Sequence, residues 1–291
     1  MTALLGAARA VHFASLMVIF GAGAYLWLLR RSAPAAAGRA GLSVCLFPTA
    51  ALLALGSAIV SVAILSIQLS DEASVDTLSI LRDVLMTTSF GQIFLVRLAA
   101  LVALCVASCR STASNRIAAP AIAAFLLATA ALTSHAAAGG SGHASMLIRT
   151  INDASHLLAG GFWLGGLIAL ASVARQHRRQ PHALVAPLQL FSAWGTSAVA
   201  ILVVTGFLNA ATISLAASSN LSDAYGGLLL TKMALALGMV VLAALNRWRL
   251  TPALESKPGA VNHLGLTVSA EILLGFAVVG IAGYAGMMSP Q

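Results

Sequence analysis

The sequence predicts an all-α integral membrane protein, a single bundle of about eight transmembrane helices with both termini outside the cell membrane. Two observations support this fold class. Hydrophobic residues make up 59% of the 291 residues and charged residues only 8%, whereas soluble domains have about 25% charged residues. A bilayer core about 30 Å thick needs roughly 20 apolar residues to be crossed as a helix, and eight segments meet that length.

The first four spans are predicted near residues 7–29, 43–68, 91–109 and 117–137. In the first of them, an apolar stretch from Val11 to Leu29 follows the early basic residue Arg9 and lacks a small-residue cleavage site, so it is interpreted as a retained span and not a signal peptide. The last four are predicted near 152–174, 190–216, 225–246 and 263–287. Short connections leave no room for a soluble domain, so residues 1–291 are expected to form one membrane domain.

The fifth span carries two glycine pairs, Gly160-Gly161 and Gly165-Gly166. The spacing of Gly161 and Gly165 matches the pattern that lets two helices approach closely in lipid. The spacing therefore permits a close helix contact at this position.

The distribution of basic residues predicts the orientation of the bundle. The loops after spans 1, 3, 5 and 7 hold eleven Lys and Arg residues, against two in the loops after spans 2, 4 and 6. Because cytoplasmic loops are enriched in Lys and Arg, both termini are expected outside, which in a bacterium is the periplasm. Basic residues scattered between apolar runs, and not along one solvated face, also argue against a nucleic-acid partner; the expected surroundings are membrane lipids.

Four of the seven histidines fall on the predicted outer face: His12, His135, His143 and His156. Small residues between the second and third of these leave the imidazoles accessible. Asp153 precedes His156 by three positions and shares its helix face. Its carboxylate is therefore expected either to ligate a metal or to fix the imidazole tautomer.

Two methionines, Met287 and Met288, close the last span on the same face. Thioether and imidazole ligands together suit copper better than hard cations, and favour Cu(I) over Cu(II). The predicted metal ligands are His12, His135, His143, His156, Asp153, Met287 and Met288.

Cys45 begins span 2, while Cys105 and Cys109 lie one turn apart near the cytoplasmic end of span 3. An odd count of three argues against a disulfide framework. The thiols are candidates for a cytosolic exit site for the ion. The alternative is that they pack as small apolar side chains.

Three ionisable residues lie inside the spans: Arg97, Lys232 and Glu271. Such residues are costly in lipid and are therefore candidates for a gate. At 1.5 Å per residue, Lys232 lies about 10 Å below the outer start of its span and Glu271 about 13 Å above the inner start of its own. We expect them to form a mutually neutralising pair, either as a gate or as a structural ion pair.

The run from Asp153 to Leu167 (DASHLLAGGFWLGGL) resembles the D-x-x-H…W-x-G-G-L signature of the CopD family of copper-resistance membrane proteins. Further matches follow along the chain: His12, Ser134-His135, Gly142-His143, Phe191-Ser192, Thr205-Gly206, Tyr225-Gly226, Lys232, Asn246-Arg247, Leu250-Thr251-Pro252 and Glu271. The resemblance covers nearly the whole chain and is most specific over spans 5 to 8.

The resemblance implies a copper protein of the bacterial inner membrane that moves copper from periplasm to cytoplasm. It also implies a separate periplasmic copper-binding partner of the CopC type, and it supports His12, His135 and His156 as candidate ligands. No ATPase module is recognised in the sequence, which argues against a pump of the P-type class. With the transport role that the resemblance implies, the protein is not expected to be an enzyme.

Two other functions stay open at this point. One is a haem-binding membrane oxidoreductase, an enzyme that would use His12, His135 and His156 as axial ligands. Against it, the sequence has no clear second histidine pair at matched depth to carry electrons across the membrane. The other is a scaffold that assembles a copper oxidase without conducting the metal.

Overall fold

A computed structural model describes residues 1–37, 42, 44–73, 76–109, 115–133, 143–216, 224–254 and 259–287 of the chain. Nine helices of eleven or more residues make up most of these ranges: α1 (Thr2–Ser32), α2 (Leu46–Ala73), α3 (Thr77–Thr87), α4 (Ser89–Cys109), α5 (Asn115–Ala130), α6 (His143–Gln176), α7 (Val185–Ala216), α8 (Ala224–Leu245) and α9 (Ala260–Ala285). Shorter helical turns span Pro34–Ala37, Ala131–Thr133, Pro181–Leu184, Asn246–Leu250 and Thr251–Ala253. The predicted all-α fold is confirmed.

Seven of the eight predicted spans coincide with helices that are long and apolar enough to cross a membrane. The fourth differs, because the apolar part of α5 covers only Ile117–Ala130 and residues 134–137 lie outside the described residues. α5 still packs against the other helices along most of the length of the bundle. A Cβ atom added at Gly23 of α1 would lie 2.7 Å from Pro120 of α5, and Thr129 at the other end of α5 lies beside the residues that contact His12.

α1 and α6 cross at glycines in the centre of the bundle. A Cβ atom at Gly21 would lie 2.0 Å from the carbonyl oxygen of Gly161, and one at Gly165 would lie 2.4 Å from the carbonyl oxygen of Met17. Only glycine allows backbones to approach this closely, and close approach is what stabilises helix pairs in lipid. The close contact that the Gly-x-x-x-Gly spacing permits is present between α1 and α6.

Two groups of buried apolar side chains lie on either side of this contact. The first joins α1 to α2, α4 and α5 through side chains such as Leu16, Leu101 and Leu126. The second joins α1 to α6, α7 and α9 through side chains such as Tyr25 and Leu264. Other large apolar side chains point outward, as the lipid-facing surface of a membrane bundle requires: Val203 (62% exposed), Phe207 (73%), Leu237 (64%) and Leu273 (70%).

The first and last helices define one face of the bundle. A Cβ atom at Gly6 near the start of α1 would lie 3.1 Å from the Cα atom of Tyr284 near the end of α9. Both ends of the described chain therefore lie on the same face, here named the N-terminal face. The assignment of this face to the periplasm stays a prediction from the basic residues.

Candidate functional site

The structure describes the side chains of four predicted metal ligands: His12, Asp153, His156 and Met287. His135 and Met288 lie outside the described residues. His143 is described only as the first residue of α6, without its side chain.

His12 is buried between helices near the N-terminal face, with 9% of its surface exposed. Its Nδ1 atom lies 2.9 Å from the carbonyl oxygen of Ala54 in α2. Because a carbonyl can only accept, Nδ1 carries a proton and donates it. The Nε2 atom lies 3.4 Å from Nη2 of Arg97, so in the neutral ring its lone pair accepts from the guanidinium. Both ring nitrogens are engaged by the protein.

Arg97 connects three helices at this level. Its Nη1 atom donates to the carbonyl oxygen of Leu126 and to Oγ1 of Thr129, both at 2.8 Å and both in α5, while Nη2 faces His12 in α1. Hydrogen bonds from a charged group are stronger than neutral ones. In this structure, the predicted gate residue Arg97 connects α1, α4 and α5.

His156 is held differently, in a gap between α6 and α7. Its Nδ1 atom lies 2.8 Å from Oγ1 of Thr205, and that hydroxyl donates its proton to the carbonyl oxygen of Ile201 at 2.6 Å. The hydroxyl therefore accepts from Nδ1–H, which leaves the lone pair of the neutral imidazole on Nε2. Among the described residues, no hydrogen bond reaches that nitrogen. Gly206 leaves room for the ring, since a Cβ atom there would lie 3.5 Å from Cε1 of His156.

Charged residues from two helices lie around His156. Asp153 lies one turn nearer the start of α6, and Lys232 of α8 is close enough to interact electrostatically with both Asp153 and His156. Asn152 connects α6 to α7 beside them, donating to the carbonyl oxygen of Thr205 at 3.2 Å and to Oδ1 of Asn209 at 2.5 Å. We name these six residues the His156 cluster: Asn152, Asp153, His156, Thr205, Asn209 and Lys232.

Part of this cluster was not predicted as a site from the sequence. Asn152 and Asn209 were not singled out, and Thr205 entered only through the family resemblance. A signal was available, because each is a polar side chain near the end of an apolar span, where such residues need a partner. Their partners lie on another helix, so the pairing required the tertiary structure.

The described residues do not show the outer histidines in one ligand set. His12 and His156 lie at similar depths, because Gly21 of α1 packs against Gly161 and Gly165 of the parallel helix α6. However, His12 bonds to α2 and α4 whereas His156 bonds to α7. Within the described part of the chain, no three His, Cys, Asp or Glu side chains are grouped to hold a metal ion. One convergent site that includes the undescribed histidine side chains stays a prediction.

Met287 lies in the turn after α9 at the N-terminal face and is half-buried. Its backbone nitrogen donates to the carbonyl oxygen of Tyr284 at 3.0 Å. A Cβ atom at the preceding residue, Gly286, would lie 3.1 Å from Nη2 of Arg9. A guanidinium cation thus lies beside the position predicted for a thioether ligand.

Lys232 and Glu271 do not form the predicted pair. Glu271 is 1% exposed, and its Oε1 atom accepts a hydrogen bond from the side-chain amide of Asn246. Asn246 lies fourteen residues after Lys232 along the same helix direction, which is about 21 Å at 1.5 Å per residue. The prediction is wrong because the depth of each residue was counted from the end of its own span. The ends of the spans do not show how far α8 and α9 are shifted relative to one another.

Two of the three cysteine side chains lie close together. Cys105 and Cys109 of α4 are close enough to interact electrostatically, as their spacing of one turn predicts. All three cysteines are free; Cys45 and Cys109 are exposed, and Cys105 is partly buried. Among the described residues, Cys45 does not join the pair in a three-residue metal group.

The family described as "Copper resistance protein D" matches residues 185–285, and the family described as "Copper resistance protein D-like, N-terminal domain" matches residues 1–145. No solved structure gives a significant match.

Three curated proteins are similar over most of the chain. "Copper resistance protein D" of Pseudomonas syringae pv. tomato is 26% identical, over 98% of this chain and 96% of that protein. "Inner membrane protein YebZ" of Escherichia coli (strain K12) is 32% identical, over 86% and 85%. "Copper transport protein CutJ" of Bacillus subtilis (strain 168) is 30% identical over 72% of this chain, which spans only 39% of that longer protein. With the seven apolar helices, these matches identify a multi-pass protein of the bacterial inner membrane.

Proposed function

The chain belongs to the CopD family of copper-resistance proteins and is a copper-related membrane protein, and from this premise we propose that it captures copper at the periplasmic face and moves it into the cytoplasm. The N-terminal face is taken as the periplasmic face in this proposal, in agreement with the distribution of basic residues.

The orientation of His156 is the observation that favours this function most. Its Nδ1–H is held by the Thr205 hydroxyl, so that Nε2 presents a lone pair. Metal-binding histidines usually donate the proton of their other ring nitrogen to a neighbouring group, which fixes the tautomer. Asp153 lies one turn away and supplies a negative charge near a cation. His156 is thus the proposed capture ligand, and His12 is a weaker candidate because its Nε2 faces the Arg97 guanidinium.

Lys232 affects how such a site works. Its ammonium lies within electrostatic range of both His156 and Asp153, and it would repel copper if no negative charge offset it. Asp153 provides that offset, because opposite charges attract across the same short range. We therefore propose that the negative charge of Asp153 offsets that of Lys232 and so allows a cation to bind at the His156 cluster.

The remaining predicted ligands complete the proposal. His135, His143, Met287 and Met288 would join His156 from the loops at this face, where imidazole and thioether groups favour Cu(I). A periplasmic copper-binding protein of the CopC type would deliver the ion. On the opposite side of the membrane, the Cys105 and Cys109 pair would receive it.

The haem oxidoreductase is the second candidate, but the hydrogen bonds favour it less. Axial ligation of haem requires a free imidazole lone pair on each ligand. Of the two histidines whose side chains are described at the N-terminal face, only His156 has one, because that of His12 faces Arg97. We therefore propose a transport role and not an enzymatic one.

Copper binding by purified protein in lipid nanodiscs tests the capture site, with Cu(I) presented in competition with a chelator of known affinity. His156→Ala is expected to lose one bound copper ion per chain. Thr205→Val removes the hydroxyl that orients the ring but keeps the side-chain shape, and is expected to weaken affinity by about 10–100-fold. His182→Ala changes an exposed histidine on the other side of the bundle and serves as the matched control, with unchanged binding.

Transport is tested with the same variants in proteoliposomes that contain a copper-sensitive dye. Uptake by the natural protein that is lost in His156→Ala supports the proposal. Normal copper binding by the well-folded His156→Ala variant would contradict the assignment of the capture ligand. Binding without any uptake by the natural protein would favour the assembly scaffold over the transporter.

A further inference from the structure

Glu271 lies in a second polar cluster, deep in the bundle and away from the His156 cluster. Its side chain is 1% exposed and lies on the buried face of α9 together with Leu264 and Val268. A carboxylate at this depth is costly unless a partner neutralises it or hydrogen-bonds to it, and ionisable residues inside membrane helices are usually functional.

Only one oxygen of this carboxyl group is satisfied. The amide of Asn246 donates to Oε1, and the indole of Trp163 lies close enough to favour the charged form of the carboxyl group. Thr267 donates to Oδ1 of Asn246 and so orients its amide. Oε2 is fully enclosed by the protein and has no hydrogen-bond partner among the described residues.

The backbone around Asn246 is also specialised. Asn246 begins the π-helical turn Asn246–Leu250 that follows α8, and its carbonyl oxygen accepts from Oγ1 of Thr251 at 2.8 Å. Such π-turns are rare and occur frequently at functional sites. The turn holds the Asn246 amide against Glu271 from the end of α8.

Among the described residues, Glu271 forms no ion pair with a cationic side chain, and the side chains found to interact with it are Trp163 and Asn246. The titratable side chains described on the packed elements at this half of the bundle are Tyr25, Arg30, Arg31, Arg175, His177, Arg178, Arg179, His182, Arg247, Arg249 and His263. Several of them have partners elsewhere: the Tyr25 hydroxyl donates to the carbonyl oxygen of Pro187 at 2.9 Å, Arg178 donates to Oδ1 of Asn262 at 3.0 Å, and Arg247 donates to Oγ1 of Thr196 at 2.6 Å.

The side chains around Glu271 indicate which ion the cluster can bind. Copper prefers nitrogen and sulfur ligands, and none of these side chains offers a free nitrogen or sulfur lone pair. Hard metal cations need about six oxygen ligands, whereas one carboxyl oxygen is free here. A proton needs a single lone pair, which Oε2 provides.

We propose that Glu271 is a proton-binding site within the membrane, at which Oε2 takes up a proton from water and returns it to water when copper passes. Binding forms the O–H bond, and release leaves a carboxylate that Asn246 and Trp163 stabilise; no electrons are transferred. The link to copper rests on the proposed transport function. A copper ion that enters this low-dielectric region repels the proton bound to Glu271. Copper that moves inward is therefore exchanged for a proton that moves outward.

Infrared spectroscopy of the protein in nanodiscs tests proton binding without any copper. A protonated buried carboxyl group is expected to give a carbonyl stretching band that disappears at high pH and shifts in heavy water. The band should be lost in Glu271→Gln, whose amide oxygen can still accept from Asn246, and shifted in Glu271→Asp. Asp83→Asn removes an exposed carboxyl group and should leave the band unchanged. Absence of the band from the natural protein at every pH, or its persistence in Glu271→Gln, would overturn the proposal.

Proteoliposomes with an internal pH dye test the exchange. Copper added outside is expected to raise the internal pH of vesicles with the natural protein. It should not do so with Glu271→Gln, although this variant keeps its copper binding at the His156 cluster. Copper uptake without proton movement would refute the exchange. If the natural protein takes up no copper, the transport function fails, while the infrared band still decides whether Glu271 binds a proton.

Discussion

A methyl group added at Gly165 is expected to force α1 and α6 apart and destabilise the bundle. The new Cβ atom would lie 2.4 Å from the carbonyl oxygen of Met17, 2.7 Å from the nitrogen of Ala22 and 2.8 Å from the Cα atom of Gly21. Non-bonded heavy atoms prefer separations of about 3.5–4.0 Å. All three contacts are backbone atoms of α1, so no side-chain rotation relieves them and the helices must separate by about 1 Å.

The size of the effect follows from comparison with a neighbouring glycine. Overpacking of this kind costs about 1–3 kcal/mol, while replacing glycine by alanine within a helix gains about 1 kcal/mol. At Gly160 a Cβ atom would make only ordinary contacts, 3.7 Å from Leu202 and 3.9 Å from Met17. Gly160→Ala therefore keeps the propensity gain without the clash, and Gly165→Ala is expected to be less stable than Gly160→Ala by about 1–3 kcal/mol.

The free energy of unfolding in mixed micelles, measured by titration with a denaturing detergent, is the appropriate assay. Gly21→Ala should behave like Gly165→Ala, since its Cβ atom would lie 2.0 Å from the carbonyl oxygen of Gly161. Equal stability of Gly160→Ala and Gly165→Ala would refute the reasoning, because it would mean that the two backbones are not in contact.

Two further predictions concern orientation and charge pairing. In a chain without native cysteines, Leu78→Cys, at a position that is 72% exposed, should react with an impermeant maleimide in intact cells, and Arg179→Cys only after permeabilisation; the reverse pattern would overturn the orientation. In double-mutant cycles, Lys232→Met should be additive with Glu271→Gln within about 0.5 kcal/mol. It should couple with Asp153→Asn by about 0.5–3 kcal/mol, and a larger coupling to Glu271 would contradict the structure.

The local features of the fold could be predicted from the sequence because they depend on local composition. Runs of about 20 apolar residues can only be helices in lipid, since every backbone group must be satisfied within the segment. The glycine spacing at Gly161 and Gly165 likewise indicates a face that permits a close contact, because it concerns one helix face. α5 was predicted less well, since its apolar part ends at Ala130 in the described residues.

The candidate site was predictable only in part. The one-turn spacing of Asp153 and His156 predicts a shared helix face, and the family signature marks the same two residues. In contrast, the sequence does not reveal that Thr205 orients the His156 ring or that Arg97 engages Nε2 of His12. The first contact joins residues that are 49 positions apart in the sequence, and the second joins residues that are 85 positions apart.

The sequence by itself therefore determined the environment, the approximate limits of seven membrane-spanning helices, and the residues able to carry chemistry. Only the tertiary structure decided their partners: Asp153 and not Glu271 near Lys232, and Asn246 beside Glu271. The physical reason is that depth along one helix follows from a rise of 1.5 Å per residue, whereas the offset and rotation between two helices follow from packing. Here the glycine contact between α1 and α6 helps to set both.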